Sequence, residues 1–109
     1  MNFDKYQEES KKTARYLHKN RYSYTALGLS GEVGEVSEHV KRILRGEDNG
    51  EMSKERVKNL KKELGDVLWY LTQLATELGI SLDDIATENL KKLFSRKKRE
   101  KLHGKGDNR

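Results

Sequence analysis

The sequence predicts an all-α, four-helix bundle-like fold, on three observations. Proline is absent from all 109 residues, so nothing interrupts a helix. No β-branched alternating run appears, which argues against strands. Apolar residues instead recur at helical spacing in four segments.

The first segment covers about 3–20, with Phe3, Tyr6, Ala14 and Leu17 on one weak face. Residues Arg21 to Thr25 then turn the chain. The second covers about 26–45, and its stripe is Leu29, Val33, Val36, Val40 and Leu44. Gly46-Glu47-Asp48-Asn49-Gly50 stops it, with glycine at the helix C-terminus. The third begins at the N-cap Ser53 and carries the strongest stripe: Val57, Leu60, Leu64, Val67, Leu71, Leu74 and Leu78. Gly79 ends it. Ser81 and Asp84 then form a capping box for the fourth, with Leu82, Ile85, Ala86, Leu90 and Leu93 at helical spacing. The short turn between the last two helices predicts antiparallel neighbours, and the second and third helices are expected to pair as well.

Length and composition bound the rest. At 109 residues the chain is one domain, expected over 1–99, with a basic polar tail at 100–109. The charged fraction is 38% and the hydrophobic fraction 33%. A core drawn from so few apolar residues is marginal, which favours burial in a homodimer or homotetramer. No cysteine is present, which excludes disulfides, thiolate metal sites and thiol nucleophiles. No signal-peptide pattern or membrane-length apolar run is found, so a cytoplasmic protein without membrane contact is expected. The net charge of +5 is concentrated around Arg96-Lys97-Lys98-Arg99-Glu100-Lys101. Such an end is a solvated tail, a phosphate-binding arm or a nucleic-acid arm.

Two acidic clusters stand out, Glu32-Val33-Gly34-Glu35 and Glu63-Leu64-Gly65-Asp66. Each repeats Glu-aliphatic-Gly-acid-Val inside an amphipathic helix. On a helical wheel, Glu32, His39 and Glu35 fall about 60°, 80° and 120° from the centre of the second stripe. Glu63, Tyr70 and Asp66 fall about 80°, 100° and 140° from the third, on the corresponding side. A solvated face explains one acid pair at i, i+3; two copies in one register call for more. If the helices pack through their stripes, both acidic edges line one groove. Carboxylates gathered there must protonate or hold cations. A hard divalent cation, Mg²⁺ with Mn²⁺ as the alternative, suits an oxygen cage, and a polyphosphate suits the cation. A di-iron site is excluded, because Glu-x-x-His occurs only at Glu100–His103 in the tail. Gly34 and Gly65 each cost a helix about 1 kcal/mol relative to alanine, which points to close approach of another helix, here between subunits.

Gly31-Glu32-Val33-Gly34-Glu35 followed by Glu63-Leu64-Gly65-Asp66-Val67-Leu68-Trp69-Tyr70-Leu71 resembles the MazG-type all-α nucleoside triphosphate pyrophosphohydrolases. Their signature is Glu-Glu-x-x-Glu, a spacer, then Glu-x-x-Asp. The resemblance runs from Tyr6-Gln7 to the Gly-x-Gly-Asp-x-Arg ending. One departure is plain: Gly31 occupies the place of the first glutamate, so either that position is no ligand here or Glu38 compensates.

The resemblance implies a MazG catalytic core that oligomerises through its helices and hydrolyses a (deoxy)nucleoside triphosphate to the monophosphate and pyrophosphate. Glu32, Glu35, Glu63 and Asp66 would hold Mg²⁺, and Glu35 or Glu38 would accept the proton of the attacking water. Tyr70, one turn beyond Asp66, can reach a phosphate or serve the core. Lys92 and Arg96 match basic positions of the family pattern. Asn89 and Gln7 are amides on apolar faces, able to meet a nucleotide or a backbone group. Lys41 and Lys61 are candidates by proximity alone, and Trp69 reads as packing or interface. The rival functions are a basic helical nucleic-acid-binding module and a catalytically silent interaction module. The acidic edges make a nucleic-acid partner unfavourable.

Overall fold

In a computed structural model that describes residues 1–99, the chain forms four α-helices: α1 (Phe3–Lys11), α2 (Arg21–Leu44), α3 (Lys54–Glu77) and α4 (Leu82–Lys98). The all-α expectation holds. The tail at 100–109, with its Glu100–His103 spacing and Gly-x-Gly-Asp-x-Arg ending, lies outside the described residues. No described helix is long and apolar enough to cross a membrane.

Local chemistry sets most of the boundaries. Asn2, Ser53 and Ser81 each accept a hydrogen bond from the backbone N–H three residues on, at 2.8, 3.1 and 3.0 Å. Gly46, at φ 105°, ends α2. Gly79, at φ 72°, ends α3. There the Ile80 N–H bonds the Ala75 carbonyl and the Gly79 N–H bonds that of Thr76, so two orphan acceptors are satisfied.

α1 stops nine residues before the expected end. The Thr13 hydroxyl donates to the Ser10 carbonyl at 2.7 Å, and Ser10 donates to the Gln7 carbonyl. These short side chains offer the backbone an alternative to the helix ladder, and the weak apolar face does not outweigh it. The freed segment crosses to α3, where Trp69 donates to Thr13 at 2.7 Å and Tyr16 donates to Glu77 at 2.9 Å. α2 in turn begins at Arg21, so the expected turn at 21–25 is helical. Within it, the Thr25 hydroxyl is buried and satisfied by the Arg21 carbonyl at 2.6 Å.

α2 and α3 form the central antiparallel hairpin, and α1 lies against α3. α4 packs on α1 instead of lying along α3, which corrects the expected pairing of the last two helices. Gln7 explains the arrangement. Its amide donates to Thr76 and to the Ile80 carbonyl, and it accepts from the Leu82 N–H, so α1 staples the α3–α4 turn.

The hairpin also packs through a different face from the one expected. Inside the seam lie Gly28, Glu32 and His39 of α2, facing Arg56, Glu63 and Tyr70 of α3. Parts of both stripes point outward: Val40 is 41% exposed, Leu64 56% and Leu71 37%. Glu32, His39, Glu63 and Tyr70 of the acidic edges therefore line the inner surface of the hairpin, while Val33, Val40, Leu64 and Leu71 form an exposed apolar ridge.

Candidate functional site

Antiparallel pairing brings Glu32 of α2 against Glu63 and Asp66 of α3. One oxygen from each of the three carboxylates lies within 4.8 Å of the others. Glu32 and Glu63 are half-buried and Asp66 is exposed, so the cluster sits at the mouth of the seam. Burial, then the charges of Asp66 and Glu63, raise the Glu32 carboxyl above its ordinary range; a hydrogen bond to Glu63 and the charge of Glu35 add to this. Three acids that resist common ionisation and offer only oxygens fit a hard divalent cation. The residues present therefore suit the Mg²⁺ or Mn²⁺ expected from the sequence.

Glu35 is exposed one turn further along α2 and stands outside this trio, although its charge is felt at Glu32. Glu38 is engaged by Lys41 at 3.0 Å and Arg42 at 3.7 Å. Its hydrogen bond to Lys41 and the nearby cations hold its carboxyl below the ordinary range. Two lysine or arginine partners make it a weaker base.

Tyr70 lies beside the acids. Its hydrogen bond with Tyr24, burial, and the charges of Tyr24, Glu32 and Asp66 push its hydroxyl up. Its ring rests on α2 at Gly28, where an added Cβ would overlap the ring carbons. Glycine at 28 is thus a requirement of the seam. By contrast, Gly31, Gly34 and Gly65 face open space.

From Tyr70 an aromatic wall continues away from the acids. Trp69 meets Tyr70 edge-on at 5.0 Å, and Tyr16 stacks on Tyr24 at 5.3 Å. With Arg15 and Asn20 they line a cavity of about 420 Å³. The sequence expectation for Trp69 is packing or interface, and no periodicity singles out Tyr16 or Tyr24. Tyr16 lies in the segment that leaves α1 and Tyr24 in the first turn of α2, where no apolar periodicity marks them.

The remaining candidates lie elsewhere. Both ends of the Gln7 amide are occupied by the α3–α4 turn. Asn89 and Lys92 line a groove of about 650 Å³ with Ile80, Asp84 and Glu88, which shares no residue with the acidic trio. Arg96 is buried, at 2% exposure.

A network behind Glu63 was also missed. His39 Nε2 lies 3.6 Å from Glu63, its Nδ1 lies 3.0 Å from Arg56, and Arg56 Nε donates to Asp48 at 2.9 Å. Arg56 and Glu63 are seven residues apart, as are Glu32 and His39, so two matched heptad pairs were the available signal.

The profile of the MazG nucleotide pyrophosphohydrolase domain matches residues 21–100. The chain belongs to this family. The chain is also 48% identical over 87 residues to the Gene 37 protein of Mycobacterium phage L5, covering 80% of this chain and 75% of that one. No solved structure matches the chain. The MazG match spans α2, α3 and α4, and so contains the whole acidic trio.

Proposed function

We propose that the protein hydrolyses a (deoxy)nucleoside triphosphate to the monophosphate and pyrophosphate in a Mg²⁺-dependent reaction. One observation carries this reading: the Glu32–Glu63–Asp66 trio adjoins, through Tyr70, an aromatic-lined cavity of about 420 Å³. The trio suits the triphosphate end and the stacked rings suit a base. Glu32, Glu63 and Asp66 would hold a divalent cation, which would neutralise phosphate charge and acidify a water.

The protein's own groups then divide the work. Tyr24, Tyr70 and Trp69 orient the nucleoside so that the α-phosphorus faces the acids. Glu35 accepts the proton of the attacking water, being exposed and without the two cations that tie up Glu38. A bond forms between the water oxygen and the α-phosphorus. The bond from that phosphorus to the bridging oxygen breaks, and pyrophosphate leaves.

The uncovered ridge supports a homodimer or homotetramer, in which a second copy lies on Val40, Leu64 and Leu71. Asn89 and Lys92 contact the triphosphate in this reading from a neighbouring copy, because their own groove is separate from the trio. A duplex-binding role gains no support, since Arg96 is buried and withdraws from the basic surface.

The test is incubation with a panel of NTPs and dNTPs plus Mg²⁺, with Glu63→Gln in parallel. Pyrophosphate and monophosphate release by the native protein alone supports the reading. Release that survives Glu63→Gln removes the trio from the reaction.

A further inference from the structure

The loop joining α2 and α3 adopts a backbone that most side chains avoid. Asp48 and Asn49 have φ of 57° and 56°, between Gly46 at 105° and Gly50 at 72°. What this conformation achieves is the placement of one carboxylate. Asp48 Oδ2 accepts from Arg56 Nε and from the Ser53 hydroxyl, each at 2.9 Å, and its other oxygen faces the Arg56 guanidinium at 3.4 Å.

The guanidinium so fixed is buried, with a side chain 9% exposed. Its next nitrogen lies 3.0 Å from His39 Nδ1. A guanidinium has donors and no acceptor, so Nδ1 accepts and the imidazole hydrogen sits on Nε2. That nitrogen faces Glu63 Oε1 at 3.6 Å, and a shift of about 0.6 Å closes the gap to a hydrogen bond. Asp48, Arg56 and His39 are therefore bonded in series from a surface loop, with His39 Nε2 aimed at Glu63 of the acidic trio.

We propose that His39 is a positioning residue, which turns the Glu63 carboxylate toward Glu32 and Asp66, with Arg56 and Asp48 fixing its tautomer. The inference rests on the cation-binding reading of the trio and adds the residues that hold the trio in geometry. A purely structural role would be met as well by an apolar pair, since burying Arg56 against an imidazole requires desolvating a charge.

The test measures Mn²⁺ binding by electron paramagnetic resonance in the native protein and in His39→Leu, His39→Gln and Asp48→Asn, with helicity followed by circular dichroism. His39→Leu is expected to weaken Mn²⁺ binding by about 10–100-fold. His39→Gln recovers most of that loss, because a single amide can accept from Arg56 and donate to Glu63. Asp48→Asn gives a smaller loss with helicity intact. Nitrogen NMR of the native protein shows His39 with its hydrogen on Nε2. A folded His39→Leu that binds Mn²⁺ like the native protein overturns the proposal, as does a hydrogen on Nδ1. If His39→Leu does not fold, unchanged binding in Asp48→Asn overturns it instead. A native protein that binds no Mn²⁺ brings down the cation reading and this inference together, an outcome distinct from native binding with unaffected variants.

Discussion

Gly28 and Tyr70 show how narrowly the seam is defined at the level of single residues. Gly28→Ala improves helix propensity by about 1 kcal/mol, yet forces the Tyr70 ring off α2, and overpacking of this kind costs about 1–3 kcal/mol. Urea unfolding should register a net loss, together with weaker nucleotide binding. Tyr16 offers a pH test. Burial, then its bond to Glu77 and the charge there, push its hydroxyl from 10.0 up to about 12. Because the folded value is the higher one, the stability this group contributes is complete below pH 10 and is lost as pH rises toward about 12. Tyr16→Phe should lower stability at neutral pH and flatten that alkaline decline. Glu32 acts in the opposite sense, since burial, then the charges of Asp66 and Glu63, make its ionised form costly. Relief by a cation should therefore appear as stability: at about 100 times its dissociation constant, Mg²⁺ or Mn²⁺ contributes about 2.7 kcal/mol, read as a rise in Tm. Glu32→Gln should abolish that rise.

Element by element, the sequence was most legible where hydrogen-bond chemistry is local. Ser53, Ser81, Gly46 and Gly79 mark helix ends because each satisfies orphan backbone groups within a few residues. The end of α1 was less legible, since it depends on Thr13 and Tyr16 finding partners on α3, 56 and 61 residues away. The site was visible as two acidic edges, because i, i+3 acids at a repeated register are a pattern in one dimension. The facing of those edges was not. Periodicity locates an apolar stripe, but does not say whether the same chain or another molecule covers it. Here the hairpin closes through Glu32, His39 and Glu63, and Val40, Leu64 and Leu71 are left outside. The Asp48–Arg56–His39 chain escaped notice for a related reason: a left-handed aspartate in a turn has no periodicity to betray it.

For the whole molecule, the exposed ridge and the loose outline belong together. The radius of gyration is 17.0 Å, against about 13 Å for a compact domain of this length. Ile43, Ala75 and Leu82 are the buried apolar side chains among the described residues, too few to stabilise a free monomer comfortably. A second copy on the ridge, as proposed, would resolve both features. Leu64→Glu or Leu71→Glu should dissociate the assembly in sedimentation experiments and lower Tm, leaving the trio's own residues untouched. Gly34→Ala and Gly65→Ala add a Cβ where the single chain has room, so each should gain about 1 kcal/mol if that face stays free. A loss of assembly in either variant would place the glycine face in the contact.

The proposed reaction turns on water attack at the α-phosphorus beside Glu32, Glu63 and Asp66. Turnover of a reactive nucleoside triphosphate in ¹⁸O-labelled water with Mg²⁺ tests it most directly. Label is expected in the monophosphate, with unlabelled pyrophosphate and no turnover in Glu63→Gln. Label in pyrophosphate or inorganic phosphate, or equal turnover by Glu63→Gln, would contradict it.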